Sequence, residues 1–323
     1  MGVSYFSLLR ILADGSFHSG EQLGRLLGLS RAGVWNLIRR VEALGLRVFK
    51  VRGRGYRLAE SLDLLDRSAV AGRLAQSTPE IQVEFLDECP STNTLLAERA
   101  MHGAPHGLVI ACERQSAGRG RRGSPWVSVM GGSLAFSILW RFSGGGGLAG
   151  LSLAVAVGVA RALEQAGFAG ILVKWPNDLF REGGKMGGIL IEVSGDVLGP
   201  SAAVIGVGIN VRLDETAKER IGQPASDLAQ CGDRVPPRSV LLATLLERLA
   251  LVLAQFAREG FAPFREEWLR RHAWQGRQVA LELAGRRIAE GRIVGIAEDG
   301  ALMLASSGGV ERFYSGELSL RQR

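Results

Sequence analysis

Cysteine is scarce: three residues in 323, far apart at positions 89, 112 and 231. With no C-x-x-C pair and only four scattered histidines, neither a disulfide framework nor a zinc site can be assembled. The thiols are expected to be reduced and structural, and no metal site built from protein ligands alone is expected. Long apolar runs are missing too. The stretch from Leu148 to Ala160 is too short to cross a bilayer and is broken by Gly150 and Gly158. No basic leader followed by an apolar segment opens the chain, which predicts a cytoplasmic protein without a membrane partner. Disorder is excluded by a hydrophobic content of 46%, enough to build two or three cores in a chain of this length.

Acidic side chains are scarce in one region. Residues 1 to 60 hold ten arginines and lysines against Asp14, Glu21, Glu42 and Glu60, so almost all of the net charge of +7 resides there. Such asymmetry points to a polyanion-binding head on a nearly neutral body. Within the head, Tyr5 to Ala13 has helical apolar spacing, and Ser19 with Gln22 forms a capping signature for a second helix through Leu27. Gly28-Leu29 makes a tight turn, and Ser30 caps a third helix, Arg31 to Leu44, with Val34, Leu37, Ile38 and Val41 as its buried stripe. That pattern predicts a helix-turn-helix, followed by a hairpin wing with Arg52-Gly53-Arg54-Gly55 at its tip. Arg31, Trp35, Asn36, Arg39 and Arg40 fall on exposed positions of the recognition helix, and Arg52 and Arg54 on the wing. Arginine suits phosphates and guanine edges, and Asn36 suits adenine. A winged helix that serves only as a protein-interaction module is the alternative.

The body begins after a polar linker at about Ser61 to Arg67. Its strands are predicted at Val83 to Leu86, Gly107 to Cys112, Ser133 to Trp140, Ile171 to Trp175, Gly188 to Val193 and Ala203 to Ile209, with Leu148 to Ala166 as a long apolar helix. Irregular spacing with hairpin-length gaps favours a mixed, largely antiparallel sheet over a doubly wound one. Three strings carry chemistry: Gly118-Arg119-Gly120-Arg121-Arg122-Gly123-Ser124-Pro125-Trp126, then Lys174-Trp175-Pro176-Asn177-Asp178, then Gly184-Lys185-Met186-Gly187-Gly188. Arginines on a glycine frame can cradle phosphate, a Trp can stack on a base, and an Asn-Asp pair can hold ribose or a metal ion. The first string also matches G-x-G-x-x-G. A dinucleotide fingerprint would pass straight into a helix, however, and Gly-Ser-Pro-Trp starts one poorly, so a lid over a bound intermediate is the better reading. Taken singly, Ser91-Thr92-Asn93 reads as a helix cap, Trp-Pro-Asn-Asp as a turn, and Lys185 as surface.

Beyond two helices at Pro237 to Ala257 and Ala262 to Arg271, short strands follow at Gln278 to Leu283, Arg286 to Ile296, Ala301 to Leu304 and Val310 to Tyr314. Turns fall at Ala284-Gly285, Asp299-Gly300 and Gly308-Gly309. This spacing predicts a small SH3-like barrel. Gly144 to Gly147 reads as a plain connector.

In their order and residue types the three strings resemble the biotin protein ligases, specifically the bifunctional kind with an N-terminal DNA-binding domain that represses biotin-synthesis genes. The resemblance runs over nearly the whole chain. It implies an α+β fold: a winged helix-turn-helix over residues 1 to 65, a central class II aminoacyl-tRNA-synthetase-like mixed sheet with helices over 66 to 273, and the C-terminal barrel over 274 to 323. It implies that Ser91, Thr92, Asn93, Gln115, Gly118, Arg119, Gly120, Arg121, Lys185, Gly187 and Gly188 line a biotin site. The nucleotide would meet Arg119, Arg121, Trp126, Asn177, Asp178, Lys185, Asn210 and Arg321, with Arg121 and Lys185 acting in catalysis. ATP, biotin and Mg2+ are the expected cofactors. A lysine of the biotin carboxyl carrier protein, operator DNA and, with adenylate bound, a second copy of the chain are the expected partners. Two departures from the family pattern stand out: Ser124-Pro125 before the Trp where a basic residue is common, and Ser315-Gly316 in place of Gly-Gly in the tail motif that runs to Ser319. A lipoate or octanoate transferase on the same scaffold is one rival. A biotin-sensing repressor without catalysis is the other.

Overall fold

The structure is a computed structural model. It describes residues 4–143, 147–181, 183–195, 201–231, 234–283, 286–314 and 318–322. Gly144 to Gly146 of the connector, the Ala284-Gly285 turn and Ser315 to Glu317 of the tail motif lie outside the described residues, as do the side chains of Cys231 and Arg321. The chain separates into two compact units, Met1–Asp66 and Arg67–Arg323.

The first unit packs three helices, α1 (Tyr5–Leu12), α2 (Gly20–Leu27) and α3 (Arg31–Ala43), beside a hairpin of β1 (Val48–Val51) and β2 (Gly55–Leu58). Ser19 Oγ accepts from Gln22 N and Ser30 Oγ from Gly33 N, so both expected caps form. Gly28 closes α2 in the left-handed region at φ 66°, where a Cβ would be strained. Phe6, Leu9, Leu12, Leu23, Val34, Ile38 and Val41 are buried and meet at helical spacing. A feature that sequence spacing did not show is how the hairpin is anchored. His18, between α1 and α2, exchanges two backbone hydrogen bonds of 2.9 Å with Tyr56. Gly55 sits at φ +101°, and a Cβ there would lie 2.0 Å from His18 O, so the last glycine of Arg-Gly-Arg-Gly is required by this close approach.

The second unit opens with a helix that the pattern did not reveal, α4 (Arg67–Ser77). Its composition of Ser, Ala and Gly hides the periodicity, since only Val70 and Leu74 are buried. There follow β3 (Gln82–Cys89), α5 (Thr92–Met101), β4 (Leu108–Gln115), β5 (Ser133–Phe142), α6 (Leu151–Gln165), β6 (Leu172–Lys174), β7 (Asp178–Arg181), β8 (Gly184–Gly195) and β9 (Ser201–Asn210). The strands form a seven-stranded sheet in the order β3-β4-β5-β9-β8-β7-β6. β3 and β4 run parallel and the other neighbouring pairs antiparallel, the mixed sheet expected. Trp-Pro-Asn is a turn, as expected of it, but a tight one: Asp178 already belongs to β7 and faces Lys174 in the register.

α7 (Glu215–Ile221), α8 (Arg238–Glu259) and α9 (Ala262–Arg271) complete the helices. α8 corrects the reading of apolar runs, because its 22 residues are long and apolar enough to cross a membrane. Here it is a core helix. Leu242, Leu246, Leu249 and Leu253 are buried, and a Cβ on Gly158 of α6 would lie 3.1 Å from Val252 Cγ2, so α6 and α8 approach closely. At its start the fully buried Arg238 donates to Glu113 Oε2 at 2.5 Å and to Ser133 O at 2.8 Å, an interior ion pair with hydrogen-bonded partners. On the face of the sheet that carries Val204 and Leu139, Leu96 of α5 packs with Ile110. Strand alternation sends the odd residues of β9 to the face of α6 and α8.

The C-terminal module is a five-stranded antiparallel sheet of β10 (Gln278–Leu283), β11 (Arg286–Ile296), β12 (Leu302–Ser306), β13 (Gly309–Phe313) and β14 (Leu318–Gln322), in the order β13-β12-β11-β10-β14. The tail expected only as a motif therefore supplies a fifth strand, pairing Leu283 to Val279 with Leu318 to Gln322.

Candidate active site

A cavity of about 300 Å3 opens on the α5 face of the large sheet. Its floor is made by alternation: Gly206 and Gly208 of β9 and Gly188 of β8 point the same way, and the register sets Gly188 beside Gly208. Gly206 and Gly208 are bare because something already occupies the place of a side chain. A Cβ on Gly206 would lie 2.2 Å from Asn93 Oδ1, and one on Gly208 would lie 2.7 Å from the Trp126 ring.

One end is neutral and densely hydrogen-bonded. Ser91 caps α5, which puts Thr92 and Asn93 in its first turn, both buried. Gln115 Oε1 accepts from Thr92 N at 2.7 Å, and Ser137 Oγ lies 2.7 Å from Thr92 Oγ1 and 2.6 Å from Asn93 Oδ1. Asn93 Nδ2 donates to Leu190 O and Glu192 Oε2. Arg119 closes this end, donating to both Glu192 oxygens at 2.8 Å and to Thr94 Oγ1 at 2.9 Å. Its charge is thus matched by a carboxylate, and it sits away from the cationic end.

The glycine-arginine string forms a folded loop. Trp126 N donates to Gly118 O and Gly120 N to Ser124 O, while Arg122 turns through the left-handed region at φ 57°. Gly118 faces Trp126 and the Gln115 amide, and Gly120 the Ser124 hydroxyl. Arg121 reaches back over the cavity, with Nη1 3.5 Å from Asn177 Oδ1. Burial, and then the neighbouring Arg122, push its pKa down. A guanidinium remains charged all the same, so this partly desolvated cation favours an anion beside it.

The other end rests on the β6–β7 hairpin and the start of β8. Asn177 Nδ2 donates to Ile189 O and Ile189 N to Asn177 O, pinning the turn to β8. Trp175 is buried and its Nε1 donates to Gly300 O, tying the hairpin to the C-terminal module. The β7–β8 register skips Met186, which returns Lys185 to the cavity face. There Lys185 Nζ is 2.6 Å from Asp178 Oδ1. Its backbone is clamped as well, by Pro224 O, Ser226 N and the Asn210 amide. The cavity can therefore take a ligand with a neutral, urea-like or amide-like head at the Thr92 end and an acidic group between Arg121 and Lys185.

Three family models match: the HTH domain over residues 6–57, the biotin/lipoate A/B protein ligase family over 86–210, and the biotin protein ligase C-terminal domain over 276–321. The bifunctional ligase/repressor BirA of Escherichia coli (strain K12) is 36% identical over 315 residues, covering 97% of this chain and 96% of that protein. The chain belongs to this bifunctional ligase/repressor family. A biotin–[acetyl-CoA-carboxylase] ligase of Paracoccus denitrificans is 36% identical over 240 residues, covering 72% of this chain and 98% of the relative. A solved Aquifex aeolicus biotin protein ligase, in complex with biotin and ATP, superposes with a TM-score of 0.63 at 30% identity, covering 75% of this chain and 99% of that one.

The structure brings Ser91, Thr92, Asn93, Gln115, Arg119, Gly120, Arg121, Trp126, Asn177, Asp178, Lys185 and Gly188 to one cavity. Others lie behind it. Gly187 points to the opposite face, towards Leu179, because neighbours on a strand alternate. Gly118 is buried under Trp126. Asn210 is buried behind Lys185, donating to Lys185 O and Ser226 O, so it supports the lysine rather than lining the wall. Only the backbone of Arg321 is described, on β14 opposite Ala280. Lys174, named in the Lys-Trp-Pro-Asn-Asp string without a role of its own, also lines the cavity. Sequence reasoning missed Ser137, Glu192 and Gly206. The Gly206-x-Gly208 spacing on a predicted strand was the available signal for the floor; nothing local marked the others.

In the first unit, Arg31, Trp35, Asn36, Arg39 and Arg40 are exposed along α3, and Arg52 and Arg54 at the hairpin tip. Trp35 is 45% exposed and carries the Arg39 guanidinium 5.0 Å above its ring. Arg40 leans over Tyr5 and Arg54 over Phe17, at 5.6 and 4.3 Å.

Proposed function

We propose that this protein is an ATP-dependent biotin ligase that modifies a lysine of an acceptor protein, and that its first unit is the DNA-binding head of a repressor. The observation that carries the enzymatic half is a single cavity with two unlike ends, the hydrogen-bonded Thr92–Asn93–Gln115–Ser137 set and the Arg121–Lys185 pair. The neutral end suits the ureido ring of biotin, which needs donors and acceptors in a confined slot. Biotin's carboxylate then lies between the two cations. A carboxylate is a poor acyl donor, so its oxygen attacks the α-phosphorus of ATP, pyrophosphate leaves, and biotinoyl-5′-AMP results. The neutral amine of the acceptor lysine attacks the anhydride carbonyl, AMP leaves, and the amide nitrogen loses a proton to water.

Neither step uses a covalent enzyme nucleophile. Arg121 orients the carboxylate and the α-phosphate, Lys185 donates to phosphate oxygens as charge builds on them, and Trp126 shields the base. Mg2+ is a hard cation that takes few protein oxygens beside the phosphates of a nucleotide, and the oxygen donors Asp178 and Asn177 line the cavity. Asp178 and Asn177 would hold that ion, and bound there it shields phosphate charge. The acceptor is the biotin carboxyl carrier protein, the compartment the cytoplasm, and the adenylate-bound protein a homodimer that places two α3 helices on an inverted repeat.

Mass spectrometry of the protein with ATP, biotin and an acceptor domain tests the ligase, and replacement of biotin by lipoate or octanoate tests its rival. Acyl transfer from the latter two alone, or no transfer at all, would overturn the reading. Two variants sharpen it. Gly206→Ala places a methyl against Asn93 Oδ1 and should weaken biotin binding by about tenfold or more, equivalent to ~1.4 kcal/mol, when measured by calorimetry. Arg121→Gly should release the adenylate into solvent, so that lysines of a bystander protein become biotinylated at equal adenylate output. Bystander labelling no greater than that of the unmodified enzyme would remove Arg121 from a retaining role.

A further inference from the structure

We infer that Trp35 and Arg39 act as one base-reading unit, which selects operator half-sites that carry a thymine within about two base pairs of a guanine. The inference rests on the DNA-binding reading of the first unit and names what that site reads. Both residues stand on α3, one helical turn apart, and both are exposed, while Val34, Leu37, Ile38 and Val41 face the core. The Arg39 guanidinium lies 5.0 Å over the Trp35 ring. Ala32, exposed on the same outward side, adds no bulk that would hold the helix off a groove floor.

Exposure of an indole assigns nothing by itself; its place does. Trp35, 45% exposed, is on the helix that a helix-turn-helix lays in the major groove. The head that carries it holds ten basic against four acidic side chains in its first 60 residues, which suits a polyanion. The floor of that groove offers a single kind of apolar group, the thymine C5 methyl, because the other groups that base edges present there donate or accept hydrogen bonds. An apolar ring pressed against the floor therefore favours thymine. Arginine's fork matches guanine O6 and N7 together. A guanidinium restrained on an aromatic face keeps its charge and has less side-chain freedom left to lose on binding. Trp35 thus meets the methyl itself and positions Arg39 for guanine. The separation of 5.0 Å between ring and guanidinium sets how far apart the two bases lie, since successive base pairs are about 3.4 Å apart along the duplex.

The test uses the full-length protein with biotin and ATP present. Inverted repeats with randomised half-sites are selected by binding and sequenced. The selected duplex is then remade with uracil at each thymine in turn, which removes only the methyl, or with 7-deazaguanine at each guanine in turn, which removes the N7 acceptor. In gel-shift titrations one such uracil should weaken binding by the unmodified protein about fourfold, the worth of one buried methyl. A 7-deazaguanine within about two base pairs of it should weaken binding about tenfold. Trp35→Ala should bind the thymine and uracil duplexes alike and lose part of the guanine preference, whereas Trp35→Phe keeps both. Arg39→Met should bind the guanine and 7-deazaguanine duplexes alike and keep the thymine preference. The salt dependence of affinity should be the same for Trp35→Ala as for the unmodified protein, because an indole neutralises no phosphate. A full uracil penalty in Trp35→Ala, or a full 7-deazaguanine penalty in Arg39→Met, would overturn the inference while the DNA-binding reading stood. Intact base discrimination with lost acceptor biotinylation in Trp35→Ala would give this face to a protein partner and overturn it as well. Failure of the unmodified protein to enrich any sequence would overturn the DNA-binding reading itself.

Discussion

Replacing Lys185 by Ala should slow adenylate formation by roughly 10²- to 10³-fold, the usual loss when one preorganised donor to a transition-state charge is removed. Biotin affinity should stay measurable, because the Thr92–Asn93–Gln115–Ser137 set that holds the neutral head does not involve this side chain. The reason for so large an effect is preorganisation. The ammonium is 2.6 Å from Asp178, and three backbone or amide contacts fix the strand that bears it, so it need not be gathered from solvent as phosphate charge develops. Asp178 is then left without its lysine, and part of the loss reflects that change. Lys185→Arg keeps the charge but alters its reach, and should recover only a fraction of the rate. Pyrophosphate release and biotin calorimetry are the two measurements. A variant with normal rates would remove Lys185 from the reacting centre.

Deletion of residues 1 to 66 should abolish operator binding and leave acceptor biotinylation within about a factor of two. The basis is the partition of the chain at Asp66 and the charge partition that accompanies it. The Paracoccus biotin–[acetyl-CoA-carboxylase] ligase, 98% of which is matched by 72% of this chain, is a relative with almost nothing beyond the matched part. In the full-length protein, biotin plus ATP should raise affinity for an inverted repeat by favouring the dimer, and acceptor protein should lower it by consuming the adenylate. That is linkage and does not require the ligand to touch DNA. Gel shifts with and without biotin and ATP decide it. Equal DNA affinity in both would separate the head from the ligase site. Lost ligation in the truncated protein would contradict the independence of the second unit.

Local rules were enough wherever a residue's role depends on its near neighbours. Ser19, Gly28 and Ser30 mark the ends of α2 and α3 because caps answer to backbone groups within four residues. The stripe of Val34, Ile38 and Val41 follows from a period of 3.6. The glycine-arginine and Trp-Pro-Asn-Asp strings could be named because their residue types are unusual enough to carry a resemblance on their own.

What only the tertiary structure decided is which of these residues face one another. The carboxylate beside Arg119 comes from Glu192, 73 positions away, and Ser137 from the centre of β5 orders Thr92 and Asn93. Whether Gly187 or Gly188 lines the cavity depends on the register with β9, and the skip at Met186 decides that Lys185 shares that face; a one-residue shift reverses every side chain on a strand. Asn210, expected beside the adenylate, is buried with its amide donating to Lys185 O and Ser226 O, contacts that only the folded chain provides. Lys174 meets the Trp274 ring only because the segment a hundred residues later is laid alongside β6. Propensity and periodicity act along the chain over a few residues. Strand order, register and the closing of distant segments onto one face are set by burial of the whole core, and in this protein they place the charges of the site.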